Sequence, residues 1–305
     1  MSEQQRLPSY GGQAVMEGVM MRGERVMAIA VRDPWGKIVV ETEALPASLY
    51  SVWSKIPLLR GLVMLWDALG IGMKAMLFST NIALRGKEPT MQLEGPGAWA
   101  LLGGSAVLAL GLFLALPALL AALLDQVIPS AAASNGIEGI IRLGMMIGYI
   151  VAISRLPDVQ RVFAYHGAEH KTINALEAGV PLEPRVVARY STRHVRCGTS
   201  FLLLVVVLST VLFGLLGQPE WWIRVGERLV FIPLVAAVAY EVLKLGARFY
   251  DRSAVVRALM APGLALQALT TREPDLPQLE VAVAALSAVL TAEHPALLAR
   301  EELAA

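Results

Sequence analysis

The sequence predicts a mainly α, polytopic helical membrane protein with about four transmembrane helices and a small N-terminal β-hairpin region. Three observations carry this expectation. Hydrophobic residues make up 56% of the 305 and charged residues only 17%, with a mean hydropathy of +0.58, too apolar for an ordinary soluble domain. Several apolar stretches approach the length of about 20 residues that a hydrocarbon core requires. Near the N-terminus, two short runs with strand character flank a tight-turn tetrapeptide.

The formal net charge is +1, so no overall field argues for a specific nucleic-acid partner. A single cysteine excludes an internal disulfide. Residues 1–6 are polar and lead into Gly-rich sequence rather than a cleavable signal peptide, so insertion is expected to rely on internal spans.

The first unit is 1–55, a Gly-rich segment and a β-hairpin. Four glycines (Gly11, Gly12, Gly18, Gly23) point to positive φ angles or close backbone approach. No strand–helix context supports nucleotide binding there. Glu17 and Arg22 are candidates for a loop ion pair or for reaching a site. Residues 25–33 and 37–45 read as strands, joined by Asp33-Pro34-Trp35-Gly36, which has turn formers at the first, second and fourth positions.

Residues 56–95 form an amphipathic helical region. Within 57–78, Arg60, Asp67 and Lys74 are spaced by seven and stack on one helical stripe, as in an interfacial or partner-packed helix. A non-spanning helix is expected, because three charges at mid-bilayer depth are each costly.

The third unit, 96–250, is the transmembrane core. Its expected spans are 98–124, with Pro117 as a kink; 139–156, with Glu138 and Arg142 near one end; 200–217; and 228–245, with Glu241 and Lys244 toward its end. Trp221 and Trp222 fall in the last link, as an interfacial belt would have them. The 125–138 link lacks Lys and Arg, whereas 155–196 carries seven. The positive-inside rule therefore places loop 157–199 in the cytoplasm, with the helical tail 251–305 on the same side. Within that tail, 278–290 reads as a packing face and His294 as a solvent-exposed residue.

Loop 157–199 contains His166-Gly167-Ala168-Glu169-His170. Helical spacing runs over 158–178, between Pro157 and Gly179. On such a helix His166 and His170 stack one turn apart and can reach one metal ion, with Glu169 on the same side. This H-x-x-E-H order is the inverzincin pattern. Three of the four histidines and the only cysteine fall in one window. Topology brings His194, Cys197 and Glu241 toward the same membrane face. Two ligand sets compete: His166, His170 and Glu241 with an open position for water, or the two motif histidines closed by His194 or Cys197. Zinc is expected before iron or manganese. A purely structural cluster is the third possibility, with Glu169 pairing Lys171, Arg193 or Arg196, Glu241 pairing Lys244 or Arg248, and Cys197 a small buried hydrophobe.

Residues 7–23 (Leu-Pro-Ser-Tyr-Gly-Gly-Gln-Ala-Val-Met-Glu-Gly-Val-Met-Met-Arg-Gly), 165–174 (Tyr-His-Gly-Ala-Glu-His-Lys-Thr-Ile-Asn), 191–201 (Ser-Thr-Arg-His-Val-Arg-Cys-Gly-Thr-Ser-Phe) and the pair Tyr240-Glu241 resemble the YqhQ-like family of bacterial membrane proteins. The resemblance covers about 7–251 and leaves the tail beyond about 271 outside. Arg193 and Val195 depart from residues that relatives often carry. The resemblance implies a domain of unknown function, described as predicted metal-dependent enzymes, and names no substrate.

The expected function is a metal-dependent hydrolase at the cytoplasmic face of the bacterial inner membrane. Glu169 is the catalytic general base, with Lys171, Arg193 or Arg196 as oxyanion partners. The rival expectation is a non-enzymatic scaffold or membrane-biogenesis factor whose basic loop holds a cytosolic protein partner. Transport is weaker, because few ionisable groups besides Glu241 and Lys244 are expected inside the spans.

Overall fold

The computed structural model describes residues 10–45, 56–86, 95–125, 127–128 and 130–294. Residues 1–9 and 46–55 of the expected N-terminal unit, and 295–305 of the tail, lie outside the described residues. Strands β1 (Gly11–Val15), β2 (Gly18–Arg22), β3 (Val26–Arg32) and β4 (Ile38–Ala44) form an antiparallel meander in that order. The hairpin read from the sequence is β3–β4. Its turn is locked by the Asp33 carboxylate, which accepts the Trp35 and Lys37 N–H groups at 3.0 and 2.8 Å, while Gly36 takes a φ of 88°.

The Gly-rich segment is a correction, because it forms the other two strands. Gly12, Gly18 and Gly23 serve close approach rather than unusual backbone angles: a Cβ on Gly18 would lie 2.2 Å from the Ala30 carbonyl oxygen. The residue with positive φ in the β1–β2 turn is Glu17, at 52°. Glu17 pairs with Arg161 at 2.5 Å, not with Arg22, which pairs with Asp67 at 2.6 Å.

Alternation along the strands sends side chains to two covered faces. Val15, Met20, Ile29 and Val31 pack on Ala75 and Ile82 of α1 (Leu59–Leu84). Val19, Met21, Ala28 and Ala30 pack on α5 (Pro157–Glu177) and α10 (Leu276–Glu293). The sheet is thus the middle layer of a helix–sheet–helix sandwich.

Helices α2 (Gly95–Leu110), a π-helical turn (Gly111–Ala115), α3 (Leu116–Leu124), α4 (Ala131–Ile153), α7 (Gly198–Phe213), α8 (Trp221–Phe249) and α9 (Ala254–Thr270) build the apolar bundle. Short α6 (Pro184–Val187) lies in the loop between α5 and α7. The protein is a helical membrane protein. Five helical stretches are long and apolar enough to cross a membrane: Leu59–Leu84, Gly97–Leu124, Ala131–Ile153, Trp221–Arg252 and Leu276–Glu293.

The helix count differs slightly from expectation. At 16 residues, α7 is only about 24 Å long, short of a full hydrocarbon core. Helix α1 has the length and apolarity of a span. Its charged stripe is neutralised residue by residue: Arg60 by Glu241 of α8, Asp67 by Arg22 of β2 and Lys74 by Glu43 of β4. Apolarity in α10 has a packing cause, since Leu279, Val281, Ala282, Ala285, Leu286 and Val289 are buried in the sheet-side core. The tail is therefore no separate unit. Leu266 of α9 packs with Met146, Ile150 and Val206 inside the bundle, and His294 is half-buried, 3.1 Å from the Tyr10 hydroxyl.

The bundle also encloses more charge than the sequence reading allowed. Glu138 and Arg142 of α4 and Arg224 and Arg228 of α8 are all buried. Arg142 pairs with Glu138 at 2.5 Å, and Arg224 pairs with Asp125 at 2.5 Å. Arg228 bonds Asn135 at 2.6 Å and stacks 4.4 Å from the Phe213 ring centre. Pro117 lacks an N–H for the carbonyl four residues back, and Arg142 Nε donates to that Phe113 oxygen at 3.1 Å.

Candidate functional site

The histidine motif lies midway along α5, which Pro157 starts and Gly179, at φ 68°, ends. His166 and His170 face the same way, with ring centres 4.4 Å apart. Each imidazole is oriented by a main-chain carbonyl: His166 Nδ1 lies 2.8 Å from Thr270 O, and His170 Nδ1 lies 2.6 Å from Thr192 O. A carbonyl only accepts, so each ring donates from Nδ1, the arrangement that orients metal-binding histidines with Nε2 as the ligand atom.

Cys197 completes the cluster. It is the N-cap residue of α7, where its sulfur accepts the Thr199 N–H at 3.4 Å. That sulfur also lies 3.3 Å from His166 Nε2. One donor atom each from His166, His170 and Cys197 lies within 4.8 Å of the others. A tetrahedral ion with about 2.0–2.3 Å bonds needs donors about 3.5 Å apart. The His166–Cys197 pair already meets this distance, and the chemistry of the donor set suits zinc. Three protein donors leave a fourth position open.

The other candidates lie around this trio or away from it. Glu169 is buried and bonded to the Gly12 N–H. Burial pushes its carboxyl up to about 7, against the opposing pull of His166 and of that N–H. A Cβ on Gly12 would come 2.9 Å from Glu169 Cγ, so β1 can pass here only with glycine. His194 is buried but spends both ring nitrogens elsewhere, Nε2 facing Glu177 at 3.4 Å and Nδ1 accepting the Arg196 N–H at 3.4 Å. Burial disfavours ionisation of Glu177, yet His194 and Arg196 outweigh it and hold this carboxyl below its ordinary range.

Glu241 is not brought to the cluster. Its carboxylate is clasped by Arg60, with Nε at 2.6 Å, and accepts the Leu58 N–H at 3.4 Å. The helix runs to Phe249, about two turns beyond Glu241 rather than the one expected, and the side chain serves the α1–α8 contact. Lys171 is also committed, donating to Ala188 O at 2.7 Å and pairing with Glu273 at 2.6 Å. Arg196 bonds Glu177 and, at 3.3 Å, Tyr10 O. Arg193 is exposed, while its carbonyl accepts from Asn174 at 3.0 Å.

Sequence reasoning missed the residues that hold the site together. Gln267 of α9 clamps the loop by accepting the His194 N–H at 3.0 Å and donating to His194 O at 2.9 Å. Thr199 and Thr270 hydroxyls join α7 to the end of α9 at 3.0 Å. Gly167 lets the α9–α10 link cross α5, where a Cβ would meet Arg272 O at 2.1 Å. Only Gly167 and Thr199, inside the quoted runs, carried a sequence signal.

Fold and site together define a polytopic helical membrane protein with a sheet-containing module docked at one end of its bundle. Residues 56–292 match the family described as Protein of unknown function (DUF1385), and the chain belongs to that family. It is also 34% identical over 309 residues to the protein described as Uncharacterized protein YqhQ of Bacillus subtilis (strain 168), covering 96% of each chain. No solved structure matches. The family match runs to residue 292, so the part of the tail that forms α10, expected to lie outside the resemblance, falls within it.

Proposed function

We propose that the protein binds a divalent metal ion, zinc first, through His166, His170 and Cys197, and works as a metal-dependent hydrolase at the cytoplasmic face of the bacterial inner membrane. The observation carrying this reading is the trio of convergent donors, with both Nδ1 atoms tied to carbonyls. An ion held there supplies Lewis acidity and a nucleophile at neutral pH. Glu169 serves as general base: it lies in electrostatic reach of His166, and its proton affinity near 7 suits proton transfer at neutral pH. The Gly12 N–H orients that carboxylate. Lys171 and Arg196 are engaged in fixed pairs and act by holding the α5 face and the loop, while exposed Arg193 is the cation left to meet an anionic group of substrate.

Elemental analysis of detergent-purified protein tests the metal. One equivalent is expected for the parent and for Glu241→Gln, and far less for His166→Ala and Cys197→Ala. A parent without metal overturns the reading. Glu169→Gln is expected to keep the metal while losing hydrolysis.

A second reading, a scaffold whose cluster is structural, is supported by the exposure of Arg185, Arg189 and Arg193, none of which forms an ion pair among the described residues. Their joint reversal to glutamate would abolish capture of an acidic cytosolic partner while leaving the metal content unchanged.

A further inference from the structure

A cleft of about 840 Å³ opens where β1 and β2 meet α1 and the C-terminal part of α8. Four cationic side chains line it (Arg22, Arg196, Lys244 and Arg248), against the single carboxylate of Glu24. Arg22 and Arg196 have partners in Asp67 and Glu177. Lys244 and Arg248 are exposed and form no ion pair among the described residues. The nearby Glu241 carboxylate is already held by Arg60. Tyr240 lines the same wall, and its hydroxyl makes no hydrogen bond among the described residues.

The rest of the wall is apolar, from Met64, Leu243 and Ala247. This end of α8 also exposes Val242, Leu245 and Phe249 beside its cations, and the helix is long and apolar enough to cross a membrane. Unpaired cations above an apolar floor, at the end of a spanning helix, match an amphiphile with an anionic head.

We propose that this cleft binds the phosphate headgroup of an anionic glycerophospholipid, with Lys244 and Arg248 contacting the phosphate and the first acyl carbons lying against Met64 and Leu243. Tyr240 donates its hydroxyl to the headgroup. Binding here is independent of the metal centre and seats the sheet module on the bilayer surface.

Native mass spectrometry of the full detergent-purified chain tests this with phosphatidylglycerol, phosphatidylcholine and inorganic phosphate as probes. The parent should retain one phosphatidylglycerol about tenfold more readily than phosphatidylcholine, and inorganic phosphate should not displace it. Lys244→Gln/Arg248→Gln should lose that preference, while Arg185→Gln/Arg189→Gln should keep it. Thermal melting confirms that both double variants fold, and single substitutions at 244 and 248 serve if the first does not. Equal retention of the two lipids, or retention by the folded 244/248 variant, overturns the proposal. Displacement by inorganic phosphate alone would reassign the cleft to a free anion and overturn the lipid claim.

Discussion

Arg228 grips Glu138 through two hydrogen bonds, from Nε at 3.1 Å and from the guanidinium terminus at 2.8 Å, with both side chains out of solvent. Each residue lies seven positions into its helix, about 10 Å from the end. Removing one partner from a buried pair costs about 3–5 kcal/mol, because the other charge is stranded. Glu138→Gln takes from Arg142 its carboxylate partner and leaves Arg228 with Glu227 at 3.3 Å, whereas Arg142→Gln leaves Glu138 bound to Arg228. Melting in detergent should therefore show a larger loss for Glu138→Gln than for Arg142→Gln. Equal losses would contradict the shared role of Glu138.

Gly167→Ala tests the crossing of α5 by the α9–α10 link. The added methyl would meet the Arg272 carbonyl, a backbone atom with little room to move. A cost of about 1–3 kcal/mol is expected, along with weaker metal retention, since the adjoining His166 is oriented by Thr270 O at the end of α9, where that link begins. Unchanged melting and metal content would show that the link yields freely.

Gln267→Leu keeps the volume but removes the bonds to both main-chain groups of His194 and to Ser200. Stranding those buried groups costs about 1–3 kcal/mol. Cys197, the only cysteine, is buried, so faster thiol labelling in this variant would report a loosened loop. A labelling rate equal to the parent's would argue that Gln267 is not the clamp.

Glu177 gives the pH prediction. Its carboxyl is held below its ordinary value of 4.5 in the folded protein. Its contribution to stability is therefore fully present above pH 4.5 and is lost as pH falls from there through the folded value. Glu177→Gln should flatten the decline in melting temperature below pH 4.5 and lower the plateau above it. Parallel curves for variant and parent would remove Glu177 from the acid response.

Local chemistry was the legible part. Asp33, Pro34 and Gly36 announced the β3–β4 turn, and the four-residue spacing of His166 and His170 announced a shared helical face. Strands β1 and β2 were hidden because five-residue elements rich in glycine carry too little alternation to read. Glu241 was assigned by depth along α8, but depth says nothing about direction around the helix. Its partner Arg60 comes from another helix whose placement no local pattern encodes. Cys197 was weighed as a ligand from its position before α7, whereas the carbonyls of Thr192 and Thr270 are main-chain groups that no side-chain pattern can announce. The buried arginines of α8 escaped notice because Asp125, at the end of α3, and Glu138 of α4 reach them from elsewhere in the chain.

Glu293, at the end of α10, receives the Arg25 and Val26 N–H groups at the β2–β3 turn, at 2.5 and 3.0 Å. The strands emerge first during synthesis, yet the helix that shields one of their greasy sides emerges after the whole bundle has been made. A half-made chain thus has only α5 to cover Val19, Met21, Ala28 and Ala30 until α10 arrives. Truncation before α10 would leave that surface half covered for good, so the closing helix acts as the latch that protects the finished molecule from aggregation.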